Sequence, residues 1–355
     1  MTRRTSRGLV AAAAVTVATA TAALLPSTGA VAASPQPSSL SAASLPQARV
    51  FMVNPVQSTG DQTLADHKDA ASDVPASAYT LATLRNLDAS GGLSGKWAQV
   101  RSETGKPASV AAATSYNRSD DEFEQVMAYF WVNEAQEYLQ GLGFGTELPG
   151  ANDRVQPVRL NQWGADNSYF TDKKAEIRLG KGGVDDAEDA EVVVHEYGHA
   201  VHHAQVPGFG TTAESGAIGE AFGDYLAMAV GTHAVEKYDW PLKADAACVA
   251  DWDATGYSAA PHCLRRLDGT KTYADREGEV HADGEIWSRA LLDIHTSLGA
   301  RTAGRIIVNA QFGFAPDTSF EAAARTTVAT AERMYGADAA AAVRDAFRAR
   351  EIPGV

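Results

Sequence analysis

The stretch that most constrains this chain is His195-Glu196-Tyr197-Gly198-His199. Residues four apart on a helix project from one face, so a helix here sets two imidazole nitrogens on a single metal ion. Glu196 then points to the side, where its carboxylate reaches a water held by the metal without binding the metal. That is the geometry of metal-assisted hydrolysis. Catalytic zinc takes three protein ligands and leaves its fourth position to water. A third histidine six residues past His199 would complete the set from the same run, but that position is Gln205. His202 and His203 stand at the wrong distance along the helix and read as solvated or hydrogen-bonded helix histidines. Glu220, in the run Gly216-Ala217-Ile218-Gly219-Glu220-Ala221-Phe222-Gly223-Asp224, is the better candidate. A second helix there puts Glu220 and Asp224 on one face. The glutamate binds zinc while the aspartate accepts the outer N–H of a ligand histidine, fixing its tautomer. Gly216, Gly219 and Gly223 would let this helix pack closely on the first.

The rest of the chain restricts the setting. Its 355 residues suffice for one large domain or two lobes, and 45% hydrophobic with 21% charged residues is ordinary for a soluble globular protein. A formal net charge of −14 argues against nucleic acid as a partner. Arg3, Arg4 and Arg7, an apolar run over residues 9–25, and Ala30-Val31-Ala32 read as a secretory signal peptide over residues 1–32, and hence as export rather than stable membrane association. Its removal would take the net charge from −14 to −17, since it carries three arginines and no acids. In an oxidising compartment the two cysteines, Cys248 and Cys263, are expected to pair.

A Ser-, Ala- and Pro-rich linker is expected over residues 33–47, a β-rich N-terminal lobe with one long helix over 48–190, and a helical zinc-binding lobe over 191–355. Short strands are predicted at Arg49 to Val53, Lys96 to Val100, Tyr169-Phe170 and Ala175 to Leu179. Ser119-Asp120-Asp121-Glu122 reads as a capping box opening a helix to about Gln140, with an apolar face of Phe123, Val126, Met127, Phe130, Trp131 and Ala135. The fold class is therefore α+β. Asp185, Asp186, Glu188, Asp189 and Glu191 crowd the start of the zinc helix. They read either as a solvated, dipole-stabilising run or as hard oxygen ligands for calcium. Trp131, Tyr169 and Phe170 read as core or as lining of a cleft.

These segments resemble the thermolysin-type gluzincins, and most closely the fungalysins. The resemblance rests on VVVHEYGHAV (192–201) with GAIGEAFGDYLA (216–227). It extends to AYFWVNEAQEYLQGLGF (128–144), DNSYFTDKKAEIRLGKG (166–182) and EVHADGEIW (279–287). It implies a two-lobed thermolysin-like metalloprotease with the zinc site between its lobes. It implies one catalytic Zn2+ on His195, His199 and Glu220, Glu196 as base, and Asp224 behind a ligand histidine. It further implies His281 as transition-state stabiliser and Arg265 as the arginine that meets the substrate carbonyl, with Arg266 as the alternative register. The implied activity is that of a secreted, monomeric endopeptidase acting on proteins or peptides. The alternatives are an inactive zinc-binding scaffold, which has no need of Glu196, and an exopeptidase, for which no acidic motif stands out.

The chain departs from the family in three places. About fifteen residues stand where fungalysins carry a long propeptide. No tyrosine lies between Gly198 and Asp224 to act as an oxyanion donor. Gln136-Glu137 occupies the place of a frequent His-Asp pair.

Overall fold

The computed structural model describes residues 45–355, so the expected signal peptide and most of the expected linker lie outside the described residues. Gln47, expected to close the linker, instead opens the first strand. The N-terminal part runs β1 (Gln47–Phe51), α1 (Pro55–Thr59), β2 (Tyr79–Thr83), β3 (Ala98–Ser102), α2 (Asp121–Gly141), β4 (Gln156–Leu160), β5 (Tyr169–Thr171) and β6 (Glu176–Arg178). The C-terminal part runs α3 (Ala190–Gln205), α4 (Ala213–Lys237), β7 (Cys248–Val249), β8 (Arg265–Arg266), α5 (Val280–Leu298), α6 (Ala300–Gln311), α7 (Phe320–Tyr335) and α8 (Ala337–Ala349). Among the described residues no helix is long and apolar enough to cross a membrane.

Strands β1 to β6 form two small sheets, and β7 and β8 pair as a third. β1 and β2 pair antiparallel, with Val50 opposite Thr80. The second sheet has the order β3-β4-β6-β5, parallel except for its edge strand β5. The predicted strands are thus present with ends displaced by one to two residues. Up to residue 118 the described chain holds three short strands, β1 to β3, with α1, turns and short 3-10 segments between them.

The long helix is α2, but its start differs from the expected capping box. Asp120 is the N-cap and makes no side-chain cap bond. Its carboxylate instead accepts from the backbone and side chain of Asn117, 3.0 Å away in each case. The single apolar face is also too narrow a reading, because α2 is buried on nearly every side. Some of its inward polar groups are satisfied individually. Gln125 accepts from Ala108 N–H and donates to the Lys106 carbonyl, and Glu134 accepts from Lys237 and Tyr238.

Burial also decides the fate of the acidic run before α3. Asp185, Asp186, Glu188, Asp189 and Glu191 are at most 5% exposed, so they are not a solvated helix start. Asp189 is the N-cap of α3, accepting from Glu191 N–H, and also accepts from Trp252 N–H, Asp253 N–H and the Asn54 amide. Glu188 is met by Arg118, itself 1% exposed, whose guanidinium also bonds Asp66 at 2.7 Å and Asp73 at 3.2 Å. A buried carboxylate left without its cation is costly, so Arg118→Met should destabilise the fold by about 3–5 kcal/mol. Urea unfolding would measure this, and adding Glu188→Gln should recover part of the loss.

Candidate metal centre

His195 and His199 lie one turn apart on α3, with their Nε2 atoms 3.1 Å from each other. Glu220, from α4, sets Oε2 3.2 Å from His195 Nε2 and Oε1 3.4 Å from His199 Nε2. Ligands at zinc distances on tetrahedral angles stand about 3.3 Å apart, so the two ring nitrogens and the Glu220 carboxylate fit that ion. A cation at that point would meet both ring nitrogens and the carboxylate at once.

Two glycines make this approach of α3 and α4 possible. A Cβ on Gly198 would sit 2.8 Å from the Gly223 Cα, and one on Gly223 would sit 2.6 Å from His195 Nδ1. The other two glycines of the run behave differently. Gly216 faces Val280 of α5, and Gly219 has room for a Cβ at ordinary contact distance from His199.

Asp224, one turn after Glu220, places Oδ1 2.8 Å from His195 Nδ1. The same carboxylate is gripped by Arg265, whose Nε and Nη2 both lie 2.7 Å from its oxygens. Arg265 reaches this point because β8 pairs with β7, Arg265 opposite Val249, beside the Cys248–Cys263 disulfide. Arg266, the alternative register, points to Asp245 and Asp268 instead. His281 stands in the first turn of α5, where the N-cap Glu279 accepts from the N–H groups of His281 and Ala282. Its Nδ1 is 2.7 Å from Glu279 Oε1 and its Nε2 is 3.4 Å from Glu220 Oε2, with the ring half exposed.

Charge is organised around the trio. Burial disfavours imidazolium at His195, but Asp224 and Glu220 outweigh it and push its pKa up to about 10. Burial instead dominates at His199, lowering it to about 4. The carboxyls of Glu220 and Asp224 are held well below the usual range despite burial, the first by the two histidines and the second by Arg265 and His195. The carboxylates therefore favour positive charge at this spot, beside that of Arg265. Glu196 has the opposite character. Burial pushes its carboxyl up to about 8, and its Oε2 is buried without a partner.

These groups line a cleft of about 950 Å³ that also takes in Tyr169, Phe170 and Phe209. Trp131 lies in the core. His202, expected to be solvated or hydrogen-bonded, is 2% exposed, and neither ring nitrogen has a partner. It packs 4.3 Å from the Phe209 ring and 4.7 Å from that of Phe222. His203 instead lies 3.3 Å from Asp172. Gln205 ends α3, donating to the Val308 carbonyl. Two groups of carboxylates escape sequence reasoning because loops assemble them: Asp189, Glu191 and Asp251, and Asp166, Asp186 and Asp253. The acidic run of residues 185–191 supplied half of this signal.

Residues 208–352 match the family model for the thermolysin metallopeptidase alpha-helical domain. The precursor of protealysin, a metalloproteinase from Serratia proteamaculans, superposes with a TM-score of 0.57, covering 76% of this chain and 91% of that one at 18% identity. The fold is thermolysin-like. The chain also resembles extracellular metalloproteinase 2 of Arthroderma gypseum, 28% identical over 116 residues, and that of Trichophyton rubrum, 27% identical over 116 residues. Each match covers 30% of this chain and 18% of the relative, so the matched stretch is under a fifth of those proteins. In this thermolysin-like frame α4 and Glu220 fall inside the family match, while α3 with His195 and His199 precedes it.

The packing of His202 has a pH consequence. Burial lowers its pKa from 6.5 to about 3, so the unfolded chain takes up a proton below about pH 6.5 that the folded protein refuses until about pH 3. Stability should therefore fall across that window by about 1.4 kcal/mol per pH unit from this group alone. His202→Phe should flatten the difference between unfolding free energies at pH 7 and pH 4.5 by about 2–3 kcal/mol, measurable by urea titration at the two pH values.

Proposed function

We propose that the protein is a secreted zinc endopeptidase whose metal is held by His195, His199 and Glu220. The observation that carries this reading is the convergence of two imidazole nitrogens 3.1 Å apart with the Glu220 carboxylate, whose oxygens lie 3.2 and 3.4 Å from them, with Glu196 beside them in an open cleft. A zinc ion there would supply the Lewis acidity that makes water a nucleophile near neutral pH and polarises a peptide carbonyl. Glu196 takes a proton from the attacking water and hands it to the leaving amine. Asp224 accepts the Nδ1 proton of His195, which turns the Nε2 lone pair toward the metal. Arg265, fixed by Asp224, and His281, its Nδ1 proton anchored on Glu279, face the cleft as donors for the charge that develops on the carbonyl oxygen. The extracellular designation of the fungal relatives supports secretion.

Calcium is the second cofactor in this reading, at Asp189, Glu191 and Asp251. Their carboxylate oxygens lie within 4.8 Å of one another, and both oxygens of Asp251 are buried without a partner.

Glu196→Gln should bind one equivalent of zinc yet lose casein cleavage by at least about 100-fold, the scale of lost acid–base catalysis. Equal cleavage by the variant would remove the base from the account. Asp224→Asn should weaken zinc binding by about 10- to 100-fold in chelator competition. Millimolar calcium should raise the melting temperature of the wild type and leave Asp251→Asn unmoved.

A further inference from the structure

One wall of the cleft carries a charge pattern that peptide hydrolysis itself does not require. Asp166, Asp186 and Asp253 each bring a carboxylate oxygen within 4.8 Å of the others, and all three line the same cleft as His195 and Glu196. Asp186 is 2% exposed. Its Oδ2 accepts from the Ser168 hydroxyl and from Gly180 N–H, whereas its Oδ1 is buried and bonds to nothing. Asp253 is 5% exposed and accepts from the Tyr257 hydroxyl. Of the basic side chains in the cleft lining, Arg265 is committed to Asp224 and Lys271 to Glu285.

We propose that Asp166, Asp186 and Asp253 form a subsite for a basic side chain of the substrate, lysine above all, beside the scissile bond. The inference rests on the endopeptidase reading for what the substrate is, but the pocket can be tested apart from it. Three oxygens up to 4.8 Å apart can all lie about 2.8 Å from one centre, the length of a charge-assisted N–H···O bond. A lysine ammonium has three donors to match them. Calcium needs shorter bonds and six to eight oxygens. The fully enclosed group at Asp189, Glu191 and Asp251 suits such an ion better than this wall, which opens onto the cleft. Val192, Leu264 and the Tyr257 ring also line the cleft and offer apolar surface to the stem of the side chain. The net charge of −14 works in the same direction, drawing basic segments toward the opening.

The test uses the zinc-loaded Glu196→Gln protein, so that nothing is cut, and labelled decapeptides in which one lysine or one norleucine is moved along the sequence. Fluorescence anisotropy should find one position at which lysine binds at least about tenfold more tightly than norleucine. Asp186→Asn and Asp253→Asn should each shrink that ratio about tenfold. Equal binding of the two peptides at every position overturns the subsite, and this needs no aspartate variant to fold. A lysine advantage that survives both variants also overturns it. So does one abolished by millimolar calcium that binds wild type but not Asp186→Asn, which would make the wall a metal site. Wild-type cleavage of casein with no lysine or arginine at a fixed place beside the cuts sinks the subsite and leaves the endopeptidase standing. Selective lysine binding without cleavage does the reverse.

Discussion

The site depends on one shared carboxylate. Asp224 lies between His195 Nδ1 and the guanidinium of Arg265, and so ties together α3, α4 and the β7–β8 pair. Gly198 and Gly223 let the two helices come close enough for this contact, since a methyl group at either position would strike the other helix. Once Asp224 is in place, Glu220 one turn earlier must face the same groove as the two histidines. Gly284 extends the arrangement to α5, because a Cβ there would crowd the Ala217 carbonyl and Glu220 Cβ at 3.3 Å. The metal donors, the arginine and the cleft histidine are thus positioned by backbone approach, not by their own flexibility.

A second set of constraints holds the start of α3. Asp189 caps the helix and collects N–H groups from residues 252 and 253, while Glu188 is clamped by Arg118 beneath the Trp252 ring. The loop closed by the Cys248–Cys263 disulfide contains Asp251, Trp252 and Asp253, and it ends two residues before Arg265. One covalently closed loop therefore serves the helix cap, the acidic wall of the cleft and the arginine. If the acidic wall is the proposed subsite, stability and substrate recognition draw on the same residues here, and changes in this loop are expected to affect both.

Much of the geometry of the candidate metal centre was legible in the sequence because helical periodicity carries it. His195 and His199 share a face by spacing alone, and so do Glu220 and Asp224. The resemblance to the fungalysins singled out Arg265 and His281, and the strand pairing of β8 explains why Arg265 and not Arg266 enters the cleft. Other features were not legible, because their partners lie far away along the chain. Nothing local in His202 announces an aromatic sandwich built from Phe209 and Phe222. The acidic run 185–191 reads as a solvated helix start until Arg118, Asn54 and the backbone of 250–253 bury it. Likewise the long helix α2 shows one apolar face in its sequence, but its polar positions are buried through bonds to residues 85–108 and 237–238. Periodicity reports which residues share a face, and only tertiary contact decides which faces are covered.

The most direct measurement is zinc-edge X-ray absorption on the protein loaded with one equivalent of zinc, beside His199→Ala and Glu220→Gln. The structure predicts two imidazole nitrogens and one carboxylate oxygen at about 2.0–2.2 Å, with one imidazole lost in the first variant and tight binding weakened in the second. Sulfur in the coordination shell, or a spectrum unchanged by either substitution, would contradict a centre built from His195, His199 and Glu220.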